Sequence, residues 1–148
     1  MSKLLHFLAG EAPDAEGRDL ADILCFSDAE LEARHDFIQW LFPLPEASRA
    51  VPGSPVLGQA DIEAVRTSPA AQRNLAAATG RMLDFYRARD HWLRSHDHNH
   101  LRITRIIRSL RLLAGEAPAD AFRSAILARV GQNGGGVNPT TLDYWAQA

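Results

Sequence analysis

The chain has a single cysteine, Cys25, among 148 residues. No internal disulfide can form, and a zinc site built on several thiolates is excluded. Neither sign of charge dominates: 16 Lys and Arg stand against 18 Asp and Glu, for a formal net charge of −2. No bulk field therefore draws the protein to nucleic acid or to an anionic membrane, and such a role would need a local basic patch. Long apolar runs are also missing, since nothing approaches the roughly 18 residues of a spanning helix. The run at Leu4–Ala9 is too short for a secretory signal and is followed by Glu11, Asp14 and Glu16. The expected location is the cytoplasm. Strand signals are absent too: there is no sustained period-two alternation, and no Asn-Gly or Asp-Gly turn joins β-branched runs. Cys25 sits between Leu24 and Phe26 and is expected to be a small core residue.

With 46% hydrophobic and 23% charged residues, the composition is that of a folded domain. The length suits one domain with a sizeable core. Helix punctuation recurs along it. Ser2 caps a short helix over Lys3–Ala9 that Gly10 stops, and Asp19–Phe26 forms another. Ser68 followed by Pro69 starts a long helix running to about Ala88, after a short one at Asp61–Thr67. Within the long helix, Gly80 lies on the polar side, where it either admits another backbone or is merely tolerated. Asp97 caps a helix over His98–Ala114, closed by Gly115. Pro118 opens the next helix, whose core ridge is Phe122, Ile126 and Val130, and Asn138-Pro139 opens a last short one. These signals predict an all-α protein, a single-domain helical bundle of about four longer helices with short ones around it. Pro43–Gly58 carries four prolines and is long for a connection inside a domain. It is either a functional loop or a stiffened cover over the helices.

The stretch that organises the chain is Leu31–Pro45, LEARHDFIQWLFPLP. Ser27 and Glu30 form the pattern of a reciprocal capping box ahead of it. Read as one helix, it gathers Phe37, Leu41, Ile38, Leu31 and Phe42 on an arc of roughly 140°. His35 and Gln39 fall at one edge of that arc, and Asp36 and Trp40 lie beyond it. Arg34 projects at its centre, where it must snorkel or meet a buried carboxylate. Trp40 either packs on a second neighbour or belongs to a binding surface.

HDFIQWLFP within this stretch resembles the signature of the opioid growth factor receptor conserved domain family, whose members carry a close variant of HDYIQWLFP. Later blocks resemble the family in the same order: Ser54-Pro55-Val56-Leu57, Arg81 to Tyr86, Asn99 to Ile106 and Tyr144-Trp145. So does the lead-in of Pro13, Asp14, Gly17 and Arg18 before Leu20–Leu24. The resemblance covers nearly the whole chain and is to a short, bacterial-type member without C-terminal peptide repeats. It implies a non-enzymatic binding domain. In vertebrates the family receptor binds an enkephalin peptide and restrains proliferation from the nuclear periphery.

Candidate chemistry concentrates in two places. The first is the run from Asp90 to His100, which holds four histidines, at 91, 96, 98 and 100. His-Glu-x-x-His is absent, and with Asp97 as a cap His96 and His100 do not share a helical face, so no metal is expected. The second is the series Arg102, Arg105, Arg108 and Arg111. It can serve phosphates or carboxylates, a DNA groove, or internal salt bridges beside Leu101 and Leu112. The Gly134-Gly135-Gly136 loop lacks the lysine and strand of a phosphate loop, and there is no Gly-x-Ser-x-Gly elbow. No catalytic constellation and no cofactor are expected. The reading that follows is a peptide or small anionic ligand held by His35, Gln39 and Trp40 with Arg102 and Arg105, and Tyr86 as a further wall. A nucleic-acid-binding helical domain using Arg102–Arg111 is the alternative, followed by an uncharacterised enzyme.

Overall fold

The computed structural model describes residues 2–148. Among them every regular element is a helix and no strand occurs. The elements are α1 (Lys3–Leu8), α2 (Leu20–Leu24), α3 (Asp28–Ala33), α4 (Ile38–Leu41), α5 (Gln59–Thr67), α6 (Pro69–Ala88), α7 (His98–Leu113), α8 (Glu116–Gln132) and α9 (Pro139–Gln147). None is long and apolar enough to cross a membrane.

Side-chain caps set most of the helix starts. Ser2 Oγ accepts from Leu5 N at 3.2 Å, and Ser68 Oγ accepts from Ala71 N at the same distance. Asp97 Oδ1 takes Asn99 N at 2.9 Å, and Asn138 Oδ1 takes Thr141 N at 2.8 Å. Each satisfies one of the N–H groups that a helix start leaves without an internal partner. Gly10, which follows α1, has φ +80°, a left-handed conformation that lets the chain reverse there. α8 begins at Glu116 rather than at Pro118. Pro118 lies in the first turn, where a missing N–H costs nothing.

The chain forms two compact units, Met1–Ala78 and Thr79–Ala148, divided inside α6. In the first, α1 packs on α4 and on α5, and Phe7, Ile23, Phe37, Phe42 and Val65 are fully buried. In the second, α7 packs chiefly on α8 and also on α9, around Ile103, Ile106, Ile107, Leu113, Ile126 and Trp145.

The organising stretch departs from its periodicity. The Ser27–Glu30 capping box forms, with Glu30 N donating to Ser27 Oγ and Ser27 N to Glu30 Oε1, both at 3.1 Å. The helix it starts ends at Ala33, however, because Arg34 is extended with φ −90° and ψ 137°, and a second helix begins only at Ile38. A contact from outside the stretch accompanies the break. Arg18 donates from Nη1 to the Asp36 carboxylate at 2.9 Å and from Nη2 toward the Asp36 carbonyl at 3.4 Å. That carbonyl thereby finds a partner without the next helical turn, in a segment whose His and Asp are weak helix formers. Arg34 consequently has no apolar arc to project from. It is exposed, 3.5 Å from Glu30 and stacked 5.2 Å from the Phe26 ring centroid. Cys25, expected in the core, is the exposed C-cap of α2.

The proline-rich segment after α4 is closed at its base. Leu57 N donates to Leu44 O at 2.9 Å, and both leucines are buried. Its tip is a tight turn in which Ser54 Oγ donates to Val51 O at 2.6 Å across Gly53, φ +84°. Gly80 in α6 faces open space, so no other backbone approaches it.

Candidate functional site

In the first unit, the signature residues are tied to the loop that precedes α2. Asp14 has a fully buried side chain and accepts from Glu16 N, Arg18 N and Arg18 Nε at 2.9, 2.9 and 2.8 Å. Arg18 then bridges to Asp36. Partial burial opposes the charge on Arg18, but its hydrogen bonds to Asp14 and Asp36 outweigh this and raise its pKa. The Arg18 guanidinium also lies 5.8 Å from the Phe26 ring centroid, and the Phe26 and Phe37 rings meet edge-on, also at 5.8 Å. This clamp leaves His35 exposed on the link between α3 and α4. Gln39 and Trp40 turn inward. Trp40 meets Phe7 edge-on at 5.3 Å, and the buried Gln39 Oε1 has no hydrogen-bond partner among the described residues.

The second unit holds a buried polar hub on Asn99, which the sequence marks only as the start of the block Asn99 to Ile106. Asn99 Oδ1 accepts from the Tyr86 hydroxyl at 3.2 Å and from Arg102 Nη1 at 3.5 Å. Its Nδ2 and backbone N both donate to Asp97 Oδ1 at 2.9 Å. Arg94 Nε reaches the other Asp97 oxygen at 3.1 Å. Burial alone would push the Asp97 carboxyl up. The Asn99 hydrogen bonds and the nearby His98 and Arg94 charges outweigh that and hold it below the usual carboxylate range. Tyr86 and Asn99 are fully buried and Arg102 nearly so. Of the six predicted contact residues, the fold therefore joins Tyr86 to Arg102, through Asn99. Arg105 is half-buried on α7.

The histidines divide in the same way. His100, on the helix that Asp97 caps, is buried in the first turn of α7. Its Nε2 lies 2.8 Å from the Trp92 carbonyl, so that nitrogen carries the proton, and its ring meets Trp145 edge-on at 5.6 Å. Trp145 Nε1 donates to His100 O at 3.1 Å. His91 and His96 are exposed, and no group of three His, Cys, Asp or Glu side chains converges among the described residues. Further along α7, Arg111 pairs with Asp120 of α8 at 2.9 Å, an internal salt bridge. Leu101 is 74% exposed although Arg102 beside it is buried, so the two side chains do not share a covered face.

One open cleft lies in this unit, about 300 Å³ in volume, lined by Arg87 of α6 and by Ala125, Ala128, Arg129 and Gln132 of α8. The α8 residues follow the i, i+3, i+4, i+7 spacing of a single helical face. That spacing is present in the sequence, on the helix whose other face carries the core ridge Phe122, Ile126 and Val130.

The model of the opioid growth factor receptor conserved region matches residues 25–148. Proteins named opioid growth factor receptor from Rattus norvegicus and Mus musculus are each 38% identical over 98 residues, 54% of this chain and 17% and 15% of theirs. The Homo sapiens protein of that name is 32% identical over 139 residues, 78% of this chain and 20% of its own. The chain thus spans about a fifth or less of the length of these curated relatives. No solved structure matches at a significant level. The Arg18–Asp36 clamp, the break between α3 and α4 and the Asn99 hub are therefore features of a chain that belongs to the opioid growth factor receptor conserved-region family.

Proposed function

We infer that this chain is a non-enzymatic binding domain that recognises a peptide or small anionic ligand, and that it works in the cytoplasm. The observation that carries this reading is the family match over residues 25–148, together with similarity to relatives named as receptors. Side-chain placement agrees with binding more than with catalysis. His100 spends its Nε2 proton on a backbone carbonyl, and Asp97 is committed to Asn99 and Arg94. Among the six predicted contact residues, exposed His35 in the first unit and half-buried Arg105 in the second are the accessible ones. Gln39, Trp40, Tyr86 and Arg102 are buried.

Calorimetric titration of the full chain with an enkephalin pentapeptide, and with the same peptide amidated at its C-terminus, tests the reading. Saturable binding is expected, weakened by about 1–3 kcal/mol in Arg105→Ala with the melting temperature kept. No heat of binding up to millimolar peptide would overturn it. Duplex DNA titrated at two salt concentrations covers the alternative, because binding through several phosphates falls steeply with salt.

A further inference from the structure

We propose that the cleft between Arg87 and the outer face of α8 is a binding site for a carboxylate carried on a small apolar body. The site belongs to the second unit alone and does not depend on the receptor-type reading. Arg87 and Arg129 both line the cleft, and neither side chain makes an ion pair or hydrogen bond with another described residue. No acidic side chain lines it. This separates the pair from Arg18 and Arg111, whose guanidinium groups are held by Asp14, Asp36 and Asp120. Planar guanidinium forks favour a two-oxygen acceptor.

The charge of the acceptor follows from the helix ends. Arg87 lies in the last turn of α6 and Arg129 in the last turn of α8. Each helix C-terminus carries about half a negative charge. Two full positive charges against two such ends leave about one positive charge in the cleft. A singly charged carboxylate is therefore matched better than a phosphate dianion. Ala125 and Ala128 supply methyl groups for the apolar body, and the Gln132 amide can donate to a carboxylate oxygen or pair with a peptide N–H. A volume of about 300 Å³ suits one amino-acid-sized group rather than a long chain.

The test is an amide-shift titration of the full chain by NMR with butyrate, butyramide and inorganic phosphate. Butyrate should produce saturable shifts at Ala125, Ala128, Arg129 and Gln132, and butyramide none. Phosphate should bind no more tightly than butyrate. Arg87→Gln and Arg129→Gln should each weaken butyrate by about fivefold or more, as loss of a charged hydrogen bond would, with an unchanged melting temperature showing that the variants fold. N-acetyl-leucine compared with butyrate then separates the two sources of such a group. Tighter binding of N-acetyl-leucine identifies a peptide C-terminus, and equal binding a free small acid. The proposal is overturned if butyramide shifts the same amides, if phosphate binds more tightly than butyrate, or if the double variant binds butyrate as the parent does.

Discussion

The Tyr86 hydroxyl donates to Asn99 Oδ1 over 3.2 Å between two fully buried side chains, one on α6 and one in the first turn of α7. The same Asn99 amide feeds the Asp97 cap of α7. One side chain thus closes a helix start and satisfies a buried phenol. Removing one partner of a buried pair costs more than removing the bond alone, because the other partner is left unsatisfied. Tyr86→Phe should cost about 0.5–1.5 kcal/mol and Asn99→Ala about 1–3 kcal/mol, measured by urea denaturation. Equal stability of all three proteins would show that the hub contributes nothing.

The Asp97 carboxyl is held below its ordinary value, so its folded pKa lies under its unfolded one. Its contribution is complete above the usual carboxylate range and is lost as pH falls through the lowered value. Asp97→Asn keeps a capping oxygen and removes the charge. The parent should be more stable than Asp97→Asn at neutral pH, and the difference should shrink on acidification below about pH 4. Urea midpoints measured across that range check this; a gap independent of pH would contradict it.

Two glycines should respond oppositely to a methyl group. At Gly80 an added Cβ meets nothing within 4 Å, and the residue is exposed in the middle of α6. Gly80→Ala should therefore stabilise by about 0.5–1 kcal/mol. Gly136 has φ +109°, and its Cβ would stand 3.1 Å from the Leu93 carbonyl oxygen. Gly136→Ala should lower the melting temperature, since both the backbone conformation and the contact are unfavourable. Calorimetric melting of both variants reads the signs directly.

Arg18→Ala removes the guanidinium that serves Asp14 and Asp36 and leaves the Asp14 carboxylate buried with only its two backbone donors. A loss of about 3 kcal/mol is expected in chemical denaturation. Arg18→Lys keeps the charge but cannot reach both carboxylates in the same planar geometry, so it should recover only part of this. Full recovery would mean that the clamp acts by charge alone.

The boundaries legible in the sequence are those decided within a few residues. Ser2, the Ser27–Glu30 box, Ser68-Pro69, Asp97 and Asn138-Pro139 all cap helices as their local chemistry predicts. The all-α class follows from the same signals, and the family from HDFIQWLFP and the blocks after it. The break at Arg34 was not legible in the apolar pattern, and the contact that accompanies it joins Arg18 to Asp36, 18 positions away. The local pattern showed an apolar arc, whereas the carbonyl of Asp36 found its partner elsewhere. Asn99 was likewise only a polar residue after a cap until Tyr86 and Arg102 were brought to it. Exposure of Cys25 beside apolar neighbours belongs to the same group. A cap is a contact with the chain's own next turn, and periodicity reports which face is apolar. Which polar atom a buried amide meets, and which arginine keeps a carboxylate, depend on chain segments whose approach no local pattern encodes.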